Sequence, residues 1–175
     1  QWSSSAASDV YKRQGFGVIE NNAKLKMGES IVVYGAGGVG LNIIQAAKLT
    51  SAYPIIAVDL YESRLEIAKK AGATHLIKGE LSEVEKEIKK ISNKIDVFVD
   101  NTGLSKIIKY GYELISSNGR LVLVGVPNKN DNLLIHTLPL HFGKKILGSH
   151  GGESNPEKDI PRFLKLYNQN KLNLD

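Results

Sequence analysis

The chain has 175 residues, of which 42% are hydrophobic, and a formal charge of +5. That is enough for one domain with its own core, and no apolar run reaches the roughly 18 to 20 residues that a membrane span requires. There are no cysteines, which excludes disulfides and thiolate metal sites within this chain. The positive charge comes from 19 lysines against 4 arginines, scattered among glutamates along helical patterns, so it argues against nucleic-acid binding. Nothing reads as an export signal or membrane anchor, and the cytoplasm is the expected compartment.

Gln1 to Gln14 show no hydrophobic period and no cap leading into the next element. Ser4 to Gln14, Ser-Ser-Ala-Ala-Ser-Asp-Val-Tyr-Lys-Arg-Gln, resembles an in-frame translation of a transposase adapter used in sequencing libraries. On that reading residues 1–14 are a non-native or disordered leader, the dinucleotide-binding domain is 15–175, and the native chain is cut upstream of Gly15. Leaving out Asp9, Lys12 and Arg13 lowers the charge of +5 by one.

From Gly15 to Ala23 the pattern predicts a helix with Phe16, Ile19 and Ala23 inward, and Lys24 to Glu29 connect it to a strand. Ile31-Val-Val-Tyr34 then runs into Gly35-x-Gly37-x-x-Gly40, with Ala36, Gly38 and Val39 between the three glycines. A helix continues to Leu49 with Val39, Ile43, Ile44 and Ala47 on one face, then a strand over Pro54 to Asp59. This is a βαβ unit for a dinucleotide. Gly35 serves the tight turn, Gly37 the approach of backbone to a pyrophosphate, and Gly40 the close packing of helix on sheet. The free N–H groups at the helix start face the phosphates. Asp59 stands nineteen residues past Gly40, where a carboxylate can accept both adenosine ribose hydroxyls and repel a 2′-phosphate, so NAD is expected rather than NADP. Arg64 reads either as a solvated helix charge or as an adenosine-side contact.

Downstream, Glu62 to Ala71 is a predicted helix with Leu65, Ile67, Ala68 and Ala71 available to a core. Thr74 to Ile77 is a short strand that would hold His75 in the core. Leu81 to Ile91 is a charged helix with an apolar stripe of Leu81, Val84, Ile88 and Ile91. Ile95 to Asp100 is a fourth strand, Ser105 to Ile115 a helix, and Gly119 to Val124 a fifth strand. Lys145 to Leu147 and Pro156 to Tyr167 complete the pattern as a strand and a helix. Strands alternating with helices predict an α/β, doubly wound, mainly parallel sheet with helices on both faces, a Rossmann fold. Ligands of such sheets lie beyond the strand C-termini, which brings forward Gly35–Gly40, Asp59, Asn101-Thr-Gly103 and Val124-Gly-Val126.

With those strand ends placed, Gly15 to Asp175 resembles the nucleotide-binding domain of the zinc-type medium-chain alcohol dehydrogenases. The resemblance runs through Gly15-Phe-Gly17, Ala23 to Ser30, Gly35 to Gly40, Ala57-Val-Asp59, Ala68 to Thr74, Val99 to Gly103 and Leu123 to Pro127. It implies hydride transfer between an alcohol or polyol carbon and NAD, with zinc polarising the substrate oxygen. It implies cofactor contacts from Gly35, Gly37, Gly38, Val39, Gly40, Asp59, Arg64, Thr102 and the Val124, Gly125 and Val126 backbone, with Ser149 and His150 near the nicotinamide. It further implies a small alcohol or carbonyl substrate and a homo-oligomer, dimer or tetramer, paired through Leu133 to Gly148. The family's zinc ligands lie in a domain that precedes this one, so zinc is expected in the full-length enzyme only and the fragment is expected to be inactive alone.

Other readings compete. A zinc-free quinone-reductase type using NADPH would usually lack the acid at position 59, and a non-catalytic NAD-sensing module would not need the Ala71 to Thr74 or Val124 to Pro127 patterns. His136 and His141 lack partners for a metal site. Asp96 and Asp100 share one face of a strand and read as strand terminators rather than an acid/base pair. Tyr167-x-x-x-Lys171 matches a short-chain dehydrogenase pair, but Tyr167 ends an amphipathic helix and the glycine loop has the other spacing.

Overall fold

The computed structural model describes residues 2–172, with side chains from residue 10 onward. The elements come in the order α1 (Trp2–Gly17), a π-helical turn (Val18–Ala23), β1 (Ile31–Tyr34), α2 (Gly38–Leu49), β2 (Ile55–Asp59), α3 (Glu62–Ala71), β3 (His75–Lys78) and α4 (Leu81–Ile91). Next are β4 (Ile95–Asp100), α5 (Ser105–Leu114), β5 (Ile115–Leu123), α6 (Leu138–His141), β6 (Lys145–Gly148), a 3-10 turn (Gly151–Glu153) and α7 (Pro156–Asn168). All six strands are parallel and lie in the order β3-β2-β1-β4-β5-β6. The order reverses between β1 and β4, which opens a crevice above their C-terminal ends.

Two apolar layers hold the sheet. Period-two alternation sends Ile31, Val33, Ile55, Ala57, Val97 and Val99 to the face covered by α2 and α3. It sends Val32, Tyr34, Ile56, Val58 and Phe98 to the face covered by α4 and α5. Because both faces are covered, β1 and β2 are buried at every position, as the unbroken apolar runs require. Phe16 of α1 packs its ring 4.8 Å from Phe163 of α7, placing both terminal helices on the α2 side. Asp100 closes the turn that ends β4, accepting from the Thr102 and Gly103 N–H groups; Asp96 does not terminate the strand but lies near its start and ties it to the residue before β1, accepting from the Ser30 backbone and hydroxyl at 2.9 Å each.

Several expectations shift. Ile67 is 49% exposed, whereas Leu65 and Ala68 of α3 are buried and Ala71 packs against the core. His75 is half-buried on the edge strand β3, bonded to the Thr74 hydroxyl, rather than in the core. β5 begins at Ile115, which pairs with Ile95 before an irregularity, and regular pairing resumes with Arg120 opposite Val97; the loose Ser116 to Asn118 stretch hides the early start in the sequence. α1 runs through Gln14 without a break and packs on α2, where a β-carbon at Gly15 would lie 2.6 Å from that of Asn42. Helical geometry across that junction describes how these residues pack, not their origin.

Gly111 gives a test of packing against propensity. A β-carbon there would sit 2.5 Å from the wholly buried Phe98 ring. Alanine gains about 1 kcal/mol of helix propensity over glycine, whereas overpacking costs roughly 1 to 3 kcal/mol. Chemical denaturation is expected to show Gly111→Ala less stable than the parent, and Phe98→Leu less costly in that background than alone. A stabilised Gly111→Ala would show that the α5 to β4 contact is loose.

Candidate functional site

The crevice, about 580 Å³, lies above the ends of β1, β2 and β4. Its first wall is the turn from β1 into α2. Gly35 has φ of +96°, the left-handed region that glycine adopts without a β-carbon clash. A β-carbon at Gly40 would lie 2.1 Å from the Gly35 carbonyl oxygen, so only glycine lets α2 start directly over the strand end. α2 has no side-chain cap and no acid in its first turn. Its unpaired N–H groups and the positive end of its dipole therefore face the crevice. At Gly37 a β-carbon would meet nothing within 4 Å, so the backbone there borders open space. Gly38 is different, since the Tyr11 ring lies 3.0 Å from where its β-carbon would be.

Asp59 stands beside this loop at the end of β2. It is 6% exposed. One carboxylate oxygen accepts from the Ala36 N–H at 2.8 Å and the other from the Tyr61 N–H at 3.0 Å. Each oxygen retains acceptor capacity, so the group is oriented but not saturated. The Arg64 guanidinium lies 3.6 Å from the carboxylate and 4.9 Å from the centre of the Tyr61 ring. Arg64 thus borders the same crevice as Asp59 with half of its side chain exposed.

The end of β4 forms the second wall. Asp100 is wholly buried and accepts from the Thr102 N–H at 3.0 Å, the Thr102 hydroxyl at 2.6 Å and the Gly103 N–H at 2.9 Å. Burial pushes its carboxyl up from the ordinary value, against the pull of these three donors. Its backbone oxygen accepts from the Val124 and Gly125 N–H groups, each at 2.9 Å. This one residue thus ties the β4 turn to the β5 turn. Thr102 borders the crevice with its hydroxyl committed to Asp100.

The expected residues divide into two sets. Gly35, Gly37, Gly38, Val39, Gly40, Asp59, Arg64 and Thr102 line one crevice. Val124, Gly125 and Val126 adjoin it through the Asp100 and Gly103 turn; a β-carbon at Gly125 would lie 2.3 Å from the Gly103 nitrogen. Ser149 and His150 instead open the 3-10 turn beside α1. The Ser149 N–H donates to Leu123 and its hydroxyl accepts from Gly152, while the His150 N–H donates to the Glu153 carboxylate.

Sequence reasoning missed Tyr11, Tyr34, Leu60, Tyr61, Glu80, Leu81, Leu104, Lys106 and Ile107, all of which line the crevice. Asn101, expected only as part of a strand end, donates its amide to the Gly35 oxygen at 3.1 Å and so braces the glycine turn from the neighbouring strand. The signal was present, because any residue ending β4 adjoins β1 once the strand order is set. Among the described residues no group of three or more His, Cys, Asp or Glu side chains is placed to hold a metal ion. Tyr167 and Lys171 do not line the crevice.

Comparison with known proteins adds to this geometry. The family model described as zinc-binding dehydrogenase matches residues 38–169. Alcohol dehydrogenase 2 of Oryza sativa subsp. japonica is 33% identical over 165 residues, covering 92% of this chain and 44% of that protein. The crystal structure of benzyl alcohol dehydrogenase from Acinetobacter calcoaceticus superposes with a TM-score of 0.86 at 36% identity, over 94% of this chain and 46% of that one. An alcohol dehydrogenase zinc-binding domain protein from Burkholderia ambifaria gives a TM-score of 0.86 at 31% identity, over 94% of this chain and 45% of that one. The chain thus spans under half the length of the relatives it matches.

Asp100→Asn tests the second wall. An amide would place an N–H2 group against an N–H that now donates to the carboxylate, and an unsatisfied buried pair of this kind costs about 1 to 3 kcal/mol. Thermal unfolding should show a clear drop in midpoint, with Asp96→Asn, at the partly exposed opposite end of the strand, milder. Equal midpoints for the parent and Asp100→Asn would remove Asp100 as the tie between the two turns.

Proposed function

The chain belongs to the zinc-binding dehydrogenase family, and on that premise we propose that it is the NAD-binding part of an oxidoreductase that moves a hydride between an alcohol or polyol and NAD. The observation that carries the reading is the pairing of two features 2.8 Å apart: the Asp59 carboxylate is held by the N–H of Ala36, inside the glycine turn that aims α2 at the crevice.

That arrangement suits an adenine dinucleotide. The open space at Gly37 and the uncapped start of α2 suit a pyrophosphate. Asp59, with acceptor capacity left on both oxygens, suits the two hydroxyls of a ribose and opposes a 2′-phosphate. Arg64 over Tyr61 borders the same ribose and keeps the carboxylate in place. From there Thr102 and the Val124 to Val126 backbone extend towards the nicotinamide, with Ser149 and His150 further along the β5 and β6 ends. NAD supplies the hydride chemistry at its nicotinamide ring; the residues of this chain bind and orient it. The Asp59 geometry also weighs against the NADPH-using quinone-reductase reading.

Zinc does not fit the residues described, and we place it in the longer protein. The substrate is a small alcohol or carbonyl compound, and the setting is the cytoplasm. No described helix is long and apolar enough to cross a membrane. A homo-oligomer is supported by the place of β6 at the edge of the sheet among the described residues and by the exposure of Leu134 and Phe142, 83% and 69%.

Titration with NADH and NADPH, monitored by nicotinamide fluorescence, tests the reading. The parent is expected to bind NADH at least tenfold more tightly. Hydrogen bonds to a charged group are worth about 1.5 to 3 kcal/mol, so Asp59→Ala should lose roughly tenfold to hundredfold in NADH affinity and narrow the preference. Gly37→Ala should bind NADH poorly while unfolding at the parent's midpoint, since its methyl occupies only ligand space. Equal binding of both cofactors by the parent would show that Asp59 does not meet the ribose.

A further inference from the structure

A second cavity, of about 440 Å³, opens at the other end of the sheet, where β5 and β6 begin their pairing. It is bounded by the π-helical turn, the segment leading to β1 and the edge strand, and it shares no residue with the crevice. Lys24, Lys26, Arg120 and Lys145 line it, Asn21 and Asn22 add their amides, and no acidic side chain does.

These charges are not placed as a merely solvated surface would place them. Arg120 and Lys145 stand directly opposite one another on neighbouring strands and point to the same face, towards the π-helical turn. Like charges in that arrangement weaken a sheet. Arg120 is relieved by Glu29, to which both of its terminal nitrogens donate, and Glu29 also accepts the Lys26 backbone N–H at 2.8 Å. Lys145 has no such relief. Among the described residues, the ammonium groups of Lys24, Lys26 and Lys145 enter no ion pair or hydrogen bond, whereas Lys89 and Lys90 of α4 are paired with Glu85 and Glu87. Lys24 is a second local misfit, with φ of +48° at a helix end where glycine or asparagine is favoured. Two unfavourable choices, both lysines, thus converge on one concave pocket without an acid, the pattern expected where a binding role overrides local stability.

We propose that this pocket binds the phosphate group of a small phosphorylated molecule, at a site separate from the crevice. Ammonium groups act as point charges that can meet a phosphate from several directions. The one planar fork that would suit a carboxylate, Arg120, is already closed by Glu29. The cavity exceeds a bare phosphate, and half-buried Leu147 at its wall offers apolar surface to the carbon skeleton of the carrier.

Calorimetric titration of the intact chain with glycerol 3-phosphate at fixed ionic strength tests this. The ester should bind, and more tightly than inorganic phosphate. Lys145→Gln should weaken binding roughly tenfold or more, since a hydrogen bond between charged groups is lost. The same variant should unfold at a higher midpoint than the parent without phosphate, because the repulsion between β5 and β6 goes with the charge. Lys24→Gly should weaken binding likewise. Gly37→Ala, whose methyl stands in the crevice, should keep the parent's affinity for the ester. No binding by the folded parent, parent-like affinity in Lys145→Gln, or loss of binding in Gly37→Ala overturns the site, the last by placing the phosphate in the crevice. A lowered midpoint for Lys145→Gln overturns the strain between the two cations. Inorganic phosphate binding as tightly as the ester overturns the carrier's part.

Discussion

The contact on which the site depends is the approach of Gly40 to the carbonyl of Gly35, too close for any side chain at position 40. It lets α2 begin above the end of β1 rather than beside it, which points the helix N-terminus into the crevice. Asn101 braces the same carbonyl from β4, and Asp59 holds the intervening Ala36 N–H from β2. Three neighbouring strands thus converge on one turn of backbone. The order β2-β1-β4 is what makes that convergence available, because it flanks the glycine turn on both sides.

The two faces of the sheet serve different purposes. On the α2 side, aliphatic residues from β1, β2 and β4 meet Ile43 and Ile44 in one continuous apolar layer. On the α4 and α5 side the layer includes rings, with Phe98 lying 6.0 Å from Tyr34 and 6.2 Å from Tyr110. Tyr34 therefore belongs at once to the core and to the crevice. Its ring is held by packing, which fixes where its hydroxyl stands. A polar group positioned by a buried ring keeps its geometry better than one carried on a flexible surface chain.

Much of this was legible in the sequence because the βαβ unit is a local pattern. Ile31 to Asp59 contains the strand, the glycine spacing, the helix and the acid within one short stretch, and all took their expected places. The strand alternation fixed the parallel class, and the family resemblance agrees with the matches found. What stayed hidden depends on contacts between distant segments. Tyr34 and Glu80 are 46 residues apart and border one crevice only once the sheet is assembled. Asn101 was legible as a strand end, but its bond to the Gly35 carbonyl was not. Ile67 and His75 were misplaced for a related reason, since periodicity says which residues share a face but not which faces are covered.

At the Asp100 end, the crevice is held together through main-chain atoms. Asp100 fastens its own turn with its side chain and the Val124 to Gly125 turn with its carbonyl, while Val126 is 90% exposed. The Val126 side chain therefore contributes little to keeping the turn in shape, whereas Val124 packs on the core and position 125 has no room for a side chain. Selection can exchange residue 126 without disturbing the glycine turn or Asp59, which are held by separate bonds. The two ends of the crevice are in this sense modular: one is conservative by construction, and the other is open to divergence among descendants that keep the same nucleotide platform.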